Sequence, residues 1–426
     1  MDAISLLSNR FKAQVNKFSG NLSNGLSKTK GRFFKEMLYG IQASKDVKLS
    51  NISRALQEDI ALIKTENRLS RNLDDEDYTK HINDEILRFG KRHVTADMVI
   101  GIDPGDINKP YAKKMEYLCN IYDADKKVNA RGYHLCQVTA ANLEHNKVVP
   151  LYCEAYSTED LQRSNATEKI INTINTVVEK IGLIGTWAID RQGDNEKIIS
   201  HFLDKELKFV TRLKLNRYLH HSYNRVSQVA AERLVRHVKQ KYQNKIIKIE
   251  DGIEFEKIVT YSSIVIGFPN IPDKWFNAVI VEGFAEKPMV LVTNLGIEEE
   301  NPFSIWRVVE AYLTRWKCDE CFRYIKQSYN TEDVRVRNYK SIRNMIAFVH
   351  AIAYFTSIYM GVELKLKIMV GKILVLSKRF FGIPNFFNYA MADGIYNLLS
   401  KSRTGIINQD QNKSKPPDLQ FALFPD

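Results

Sequence analysis

Apolar residues follow two different spacings along this chain, and the change comes near residue 95. Before it, they recur at helical intervals, as in Ile52, Leu56, Ile60 and Ile63 behind Ser50, a residue type suited to opening a helix. No segment there alternates as a strand does. After it, Met98-Val99-Ile100-Gly101-Ile102 predicts a short buried strand over 97–103 that delivers Asp103 to its end, with a turn expected at Pro104-Gly105-Asp106. Further strands are expected at 133–140, 148–156, 185–189 and 208–213. Helices are expected at about 165–181, where Ile170, Ile171, Ile174, Val177 and Val178 recur, and near 194–206. From 214 to 300 the segments beginning at Ile246, Glu254, Ala278 and Met289 alternate or run apolar between Pro and Gly breaks, which predicts a β-rich insertion. Apolar helical stretches at about 341–375 and 384–400 follow, expected as core or dimer-forming helices. Lys, His and Arg interrupt them before they reach the roughly 18–20 residues of a membrane span. From about Asn408 a tail containing Lys413-Ser414-Lys415-Pro416-Pro417 is expected to be disordered.

Candidate chemistry gathers on one helical stripe. In a helix over 312–326, Tyr312, Arg315, Asp319 and Lys326 fall within a sector of roughly 60°, a set of polar groups that a buried helix face does not ordinarily carry. Two strand ends offer further carboxylates, Asp103 and Asp190. An aspartate at the carboxyl end of a buried strand is poorly placed for packing and well placed for a ligand in a crevice. Asp106 and Asp194 are the rival ligands close by in sequence. Three strands, a helix, a strand, a helix and a strand is the order of a ribonuclease H-like core, so the expected fold class is α/β: a mixed ribonuclease H-like sheet with a β-rich insertion and helical N- and C-terminal regions.

At this point the chain resembles the DDE transposases of bacterial insertion sequences. It is similar to the cut-and-paste group, insertion-sequence family four, whose signature is Tyr, two residues, Arg, three residues, Glu, six residues, Lys. Tyr312, Arg315, position 319 and Lys326 meet that spacing, Asp190-Arg191-Gln192-Gly193-Asp194 resembles the family's second hallmark, and Asp103-Pro104-Gly105-Asp106 fits its first-aspartate segment. Together the matches span roughly 95–345. The departure is Asp319 where the family carries Glu, with Glu320 next to it; the helical wheel aligns Asp319 with the stripe and turns Glu320 away by about 100°. The resemblance implies a catalytic triad of Asp103, Asp190 and Asp319 (alternative Glu320) holding two Mg²⁺ or Mn²⁺ ions for phosphoryl transfer. It also implies end cleavage through a DNA hairpin, with Tyr312, Arg315 and Lys326 on phosphates. In the family an aromatic holds a flipped base; the matching position here is Met289.

The charge pattern agrees with a DNA partner. The net charge is +12, and Lys205 to Lys248 carries twelve Lys/Arg against two acidic residues. Lys208, Arg212, Lys214 and Arg217 are expected on DNA phosphates, with Arg191 and Arg323 beside the triad; His220-His221 belong to the same expected basic surface. Lys28, Lys30, Arg32 and Lys35 add a basic stretch to the N-terminal region. The expected organisation is a helical DNA-end-binding domain over 1–95, a catalytic core over 96–213 and 301–340, the insertion over 214–300, a helical region over 341–407 and a tail over 408–426. Trp275 and Phe276 are expected to pack the insertion rather than stack on a base. Five cysteines, with Cys318 and Cys321 on the candidate helix, imply a reducing compartment and no disulfide framework. The expected partners are double-stranded DNA, comprising the element's terminal inverted repeats and a target, and a second copy of the chain in a homodimeric synaptic complex, in the cytoplasm on the nucleoid. Two other readings stay open: a catalytically silent DNA-binding protein derived from a transposase, and a ribonuclease H-like nuclease.

Overall fold

The computed structural model describes residues 3–406 apart from 124–125, 145–146, 162–164, 222, 251–252, 299, 361–366, 376, 378–387 and 403; the tail expected to be disordered lies outside the described residues. Five helices come first: α1 (Ala3–Leu22), α2 (Lys28–Ser44), α3 (Leu49–Leu56), α4 (Leu62–Asp75) and α5 (Thr79–Gly90). Ser27 opens α2 by accepting from the Lys30 amide, as an N-cap should. The apolar period from Ile52 to Ile63 does not form one helix. Gln57 takes a left-handed conformation (φ 51°) and ends α3, Ser50 lies inside α3, and Ile60 and Ile63 are 47% and 60% exposed.

The segment expected to form the core folds into β1 (Val99–Asn108), β2 (Cys119–Asp123), β3 (Val128–Ala141), β4 (Val148–Tyr156), α6 (Ala166–Ile181), β5 (Thr186–Ile189), α7 (Glu196–Asp204) and β6 (Lys208–Arg212). The strands lie in the order β4-β3-β1-β5-β6. β3 runs antiparallel to β1 and β4, and β1, β5 and β6 run parallel. The turn expected at Pro104-Gly105-Asp106 is instead a continuation of β1. β5 stops at Ile189, opposite Ile102, so from Asp103 onward that edge of β1 has no parallel neighbour, and a proline lacking an N–H is tolerated on such an edge.

The insertion extends the same sheet. It comprises β7 (Tyr218–His221), β8 (Asn224–Ala230), α8 (Ala231–His237), β9 (Tyr242–Glu250), β10 (Ile253–Phe268), β11 (Ile271–Glu282) and β12 (Met289–Thr293). β12 pairs antiparallel with β6, and β11 and β10 follow outward. The result is one mixed α/β sheet of twelve strands among the described residues. Met289 is 1% exposed within β12, which leaves it no access to a flipped base. Phe276 is buried against Phe209 and Phe268, while Trp275 leans on Tyr223 with ring centroids 4.8 Å apart.

The chain then forms α9 (Pro302–Thr314), α10 (Trp316–Tyr329), α11 (Tyr339–Tyr354), which continues as a π-helical turn over Phe355–Tyr359, α12 (Lys367–Val375) and α13 (Asn388–Ser400). α11 is buried nearly all round. Phe33 and Phe34 of α2 meet Phe348 edge-on, and Phe18 of α1 packs on Tyr354 and Phe355. The N-terminal helices therefore share a core with α11, which makes this stretch core-forming. None of the described helices is long and apolar enough to cross a membrane.

Gly132 marks the tightest point of the sheet, where β3 passes between β1 and β2: a Cβ there would sit 2.1 Å from the Ile107 carbonyl oxygen. Backbone cannot yield as a side-chain tip can, so Gly132→Ala is expected to cost about 2–3 kcal/mol, read as a lower urea midpoint. An unchanged midpoint would mean that the strands have room to separate at this crossing.

Candidate active site

Two carboxylates leave adjacent parallel strands side by side. Ile102 pairs with Ile189, so Asp103 and Asp190 are the next residues on β1 and at the end of β5. Asp190 shapes its own turn: its Oδ1 accepts from the Gln192 amide at 2.9 Å, and its carbonyl accepts from the Thr211 hydroxyl at 3.0 Å. α10 crosses β1 on the face that carries Asp103. Glycines allow the approach, since a Cβ at Gly101 would lie 3.1 Å from Cys318 Cβ and one at Gly105 would lie 2.9 Å from the Phe322 ring.

Arg315 sits at the junction of α9 and α10 and joins the carboxylates. Its Nη1 donates to Asp103 Oδ1 at 3.3 Å and to Asp319 Oδ1 at 2.9 Å, and its Nη2 donates to Asp319 Oδ2 at 3.2 Å. Glu320 points elsewhere and pairs with Lys317 at 2.8 Å, so of the two candidates Asp319 is the one brought to Asp103. Tyr312 is only 3% exposed, packed in a cluster with Val99 and Ala188. It forms the floor under Arg315, whose guanidinium lies 5.7 Å from its ring, and buried this deeply it cannot grip a phosphate as expected. Lys326 donates to the Asp106 carbonyl at 3.3 Å and pairs with Glu332 at 2.7 Å. Arg323 and Arg191 are exposed.

The rival carboxylates have other partners. Asp194 is 7% exposed and accepts from the Lys214 amide at 2.8 Å, holding the end of β6. Asp106 bonds His134 Nδ1 at 2.7 Å on the opposite face of the sheet from Asp103. In the basic segment, Lys208 and Lys214 are exposed and Arg212 is half-buried. Arg217 departs from the expectation of a DNA contact: it pairs with Glu196 at 2.6 Å, lies 3.4 Å from Asp194 and covers the Phe268 ring. His220 is buried, its Nδ1 against the Ser227 carbonyl, and so does not belong to the basic surface. In the N-terminal region Lys30 pairs with Asp75, and Arg32 pairs with Glu36 and Glu58, so two of the cations expected there on DNA serve the fold. All five cysteines are free and buried.

Electrostatics set Asp103 apart. Burial pushes its carboxyl well above the usual range, and the neighbouring Asp319 and Asp190 push it further, against the opposing pull of Arg315. Burial works against the Arg315 charge, yet Asp319 and Asp103 hold it firmly protonated. By chemistry the donor set suits a hard divalent cation, since it is all carboxylate oxygen. By geometry it is not a preformed cage. Among the described residues no three His, Cys, Asp or Glu side chains converge closely enough to hold an ion, and Arg315 supplies the positive charge between Asp103 and Asp319.

No protein-family model matches the chain, and no curated protein matches it in sequence. Among solved structures it is similar to a piggyBac transposase synaptic complex with hairpin DNA, with a TM-score of 0.43 and 10% identity, over 98% of this chain and 83% of that one. A likeness of that degree carries no weight for fold or activity.

Two outcomes follow from the charges. A carboxyl that resists ionisation in the folded state destabilises the fold once pH exceeds its unfolded value, so Asp103→Asn is expected to raise Tm at neutral pH; a lower Tm would mean that the Arg315 bond outweighs the crowding. The His134 imidazole, held up to about 9 by the Asp106 carboxylate and then by Cys119, acts in the opposite direction. Its contribution is present in full below the unfolded value of about 6.5 and is lost as pH rises through about 9. Stability should fall over that window in the wild type, and His134→Gln should flatten the fall in chemical denaturation.

Proposed function

We propose that the chain is a DDE-type DNA transposase of a bacterial insertion sequence, built on a ribonuclease H-like core. One observation carries the reading: Asp103 and Asp190 leave neighbouring parallel strands opposite Asp319 on a crossing helix. The strand order β4-β3-β1-β5-β6, with two antiparallel and two parallel pairings, supports the ribonuclease H-like assignment. Asp103, Asp190 and Asp319 would hold two Mg²⁺ or Mn²⁺ ions. Such ions, when bound, lower the pKa of an attacking water and stabilise the leaving oxygen.

The chain's own residues have distinct parts in this reading. Arg315 neutralises the crowded carboxylates in the resting site; once released from them it is a planar, bidentate donor for the DNA phosphate. Lys326, anchored by Asp106 and Glu332, adds a cation on the same helix, and exposed Arg323 and Arg191 flank the cleft. Arg212 and Lys214 lie where β6 ends beside Asp190, Lys208 opens β6 at its other end opposite Thr186, and the three would extend the backbone contacts. Hairpin chemistry, recognition of inverted repeats and action as a homodimer on the nucleoid belong to the same proposal.

A second reading rests on a specific feature. Asp319 is one methylene shorter than the family Glu, and both its oxygens are engaged by Arg315. A site locked in that pairing would bind DNA without cutting it.

Substitutions separate the two. On duplexes carrying the DNA that flanks its own gene, with Mg²⁺ or Mn²⁺, Asp103→Asn and Asp190→Asn are each expected to cut nicking by more than about 100-fold, beyond what loss of a supporting residue costs, with affinity in gel shifts retained. Asp319→Asn should match them, and Glu320→Gln should nick normally. Wild-type nicking that survives in Asp190→Asn would sink the assignment; absence of nicking by both wild type and Asp319→Glu, with DNA still bound, selects the silent protein.

A further inference from the structure

Charge that the fold does not use collects in a groove away from the basic segment of the insertion. The segment after α10 is pinned on both sides. Lys109, buried at the end of β1, donates to the carbonyls of Glu332 and Val334. The Glu116 amide donates to the Arg337 carbonyl, and the Glu116 carboxylate accepts from the Tyr339 amide. From the other side Lys48 pairs with Asp333, and the Asn338 amide donates to Asp74. A strip of chain fixed this way presents Arg335 and Arg337 outward, beside Lys113 and Lys114 of the loop between β1 and β2.

Three depressions adjoin along this strip. One of about 620 Å³ lies between the 108–115 loop and residues 332–337; a second of about 360 Å³ shares Arg335 and Arg337 with it and reaches α3 and α4; a third of about 250 Å³ shares Asn67 with the second and runs along α4. The whole is elongated and open, the form suited to a polymer rather than a small anion. Lys113, Lys114, Arg335, Arg337, Lys64 and Arg71 are exposed and have no ion-pair partner among the described residues. The carboxylates along it are mostly neutralised: Glu332 pairs with Lys326 and Asp333 with Lys48, which leaves Glu66. Unpaired cations held on a rigid wall call for a polyanion.

We propose that this groove is a second track for duplex DNA, distinct from the basic segment after β6, and that it ties the N-terminal helices to the reacting end. Its position gives a register, a part that rests on the reading of Asp103 as the reacting centre. Asn108 at the groove mouth is five residues beyond Asp103 on β1, about 17 Å at strand rise, and half a turn of B-DNA is also about 17 Å. The groove therefore meets the backbone about five base pairs from the phosphate at Asp103.

The test uses the full chain and a duplex of arbitrary sequence. Reversal of four cations, Lys113→Glu, Lys114→Glu, Arg335→Glu and Arg337→Glu together, is expected to flatten the dependence of log affinity on log salt by about 3.6 units, near 0.9 for each phosphate that is no longer neutralised. The corresponding Gln variant, milder for folding, should flatten it nearly as much. On the nicked duplex, ethylation of phosphates about five base pairs from the nick should interfere with binding of wild type and not of the quadruple variant. An unchanged salt slope in both variants overturns the track, whether or not the wild type nicks. A flattened slope in a protein that never nicks keeps the track and removes the catalytic reading, and interference at another spacing overturns the register.

Discussion

The close seat of α10 on β1 is the constraint from which the candidate site follows. Without side chains at Gly101 and Gly105 the helix axis comes near enough for Arg315 and Asp319 to meet Asp103. The same contact buries Asp103 and crowds it with negative charge. A buried carboxylate is tolerated only when paired or neutralised, and Arg315 does the pairing here. The geometry that assembles the site thus also obliges an arginine to stand in it, and the proposed two-metal chemistry would need that partner exchanged for another cation.

The part of this arrangement legible in the sequence was the part fixed by local periodicity. The strand that carries Asp103, the strand ending beside Asp190 and the helical stripe of Arg315, Asp319 and Lys326 each depend on neighbours a few residues away, and the helical wheel sorted Asp319 from Glu320 because rotation per residue is a local property. Tyr312 escaped the same argument. It lies on the stripe, but the stripe spans two helices joined at Arg315, and the first of them, α9, faces the insertion strands and β5 rather than the cleft. Which part of a face meets solvent is decided by what packs there, and that is a long-range fact.

Long-range pairing also explains the other departures. The continuation of β1 through Pro104 depends on β5 ending opposite Ile102, some ninety positions later in the chain. Arg217 stands in a basic run that suggests DNA binding, yet Asp194 and Glu196 claim it, and Lys30 and Arg32 are claimed in the same way. A count of charges in a segment therefore overstates the charge free to meet a partner. The cations of the groove behave oppositely: the pair Lys113 and Lys114 and the pair Arg335 and Arg337 are far apart in sequence, yet they come together without ion-pair partners among the described residues.

That contrast bears on how the whole molecule would hold DNA. Net charge alone gives steering and weak attachment to any polyanion, whereas orientation of a duplex needs fixed cations on more than one side of the reacting point. Exposed Lys214, just after β6, lies on the Asp190 side of the cleft, and the groove lies beyond the far end of β1. Asp103 is between them, on strands whose register is set by parallel pairing and cannot slide without exposing a buried face. On the proposed reading, a duplex gripped at both places would have its intervening phosphate fixed relative to Asp103 before Arg315 let go. The phosphate would then compete with Asp103 and Asp319 for the Arg315 guanidinium, so that release of the site would be coupled to correct seating of the DNA rather than left to chance encounter.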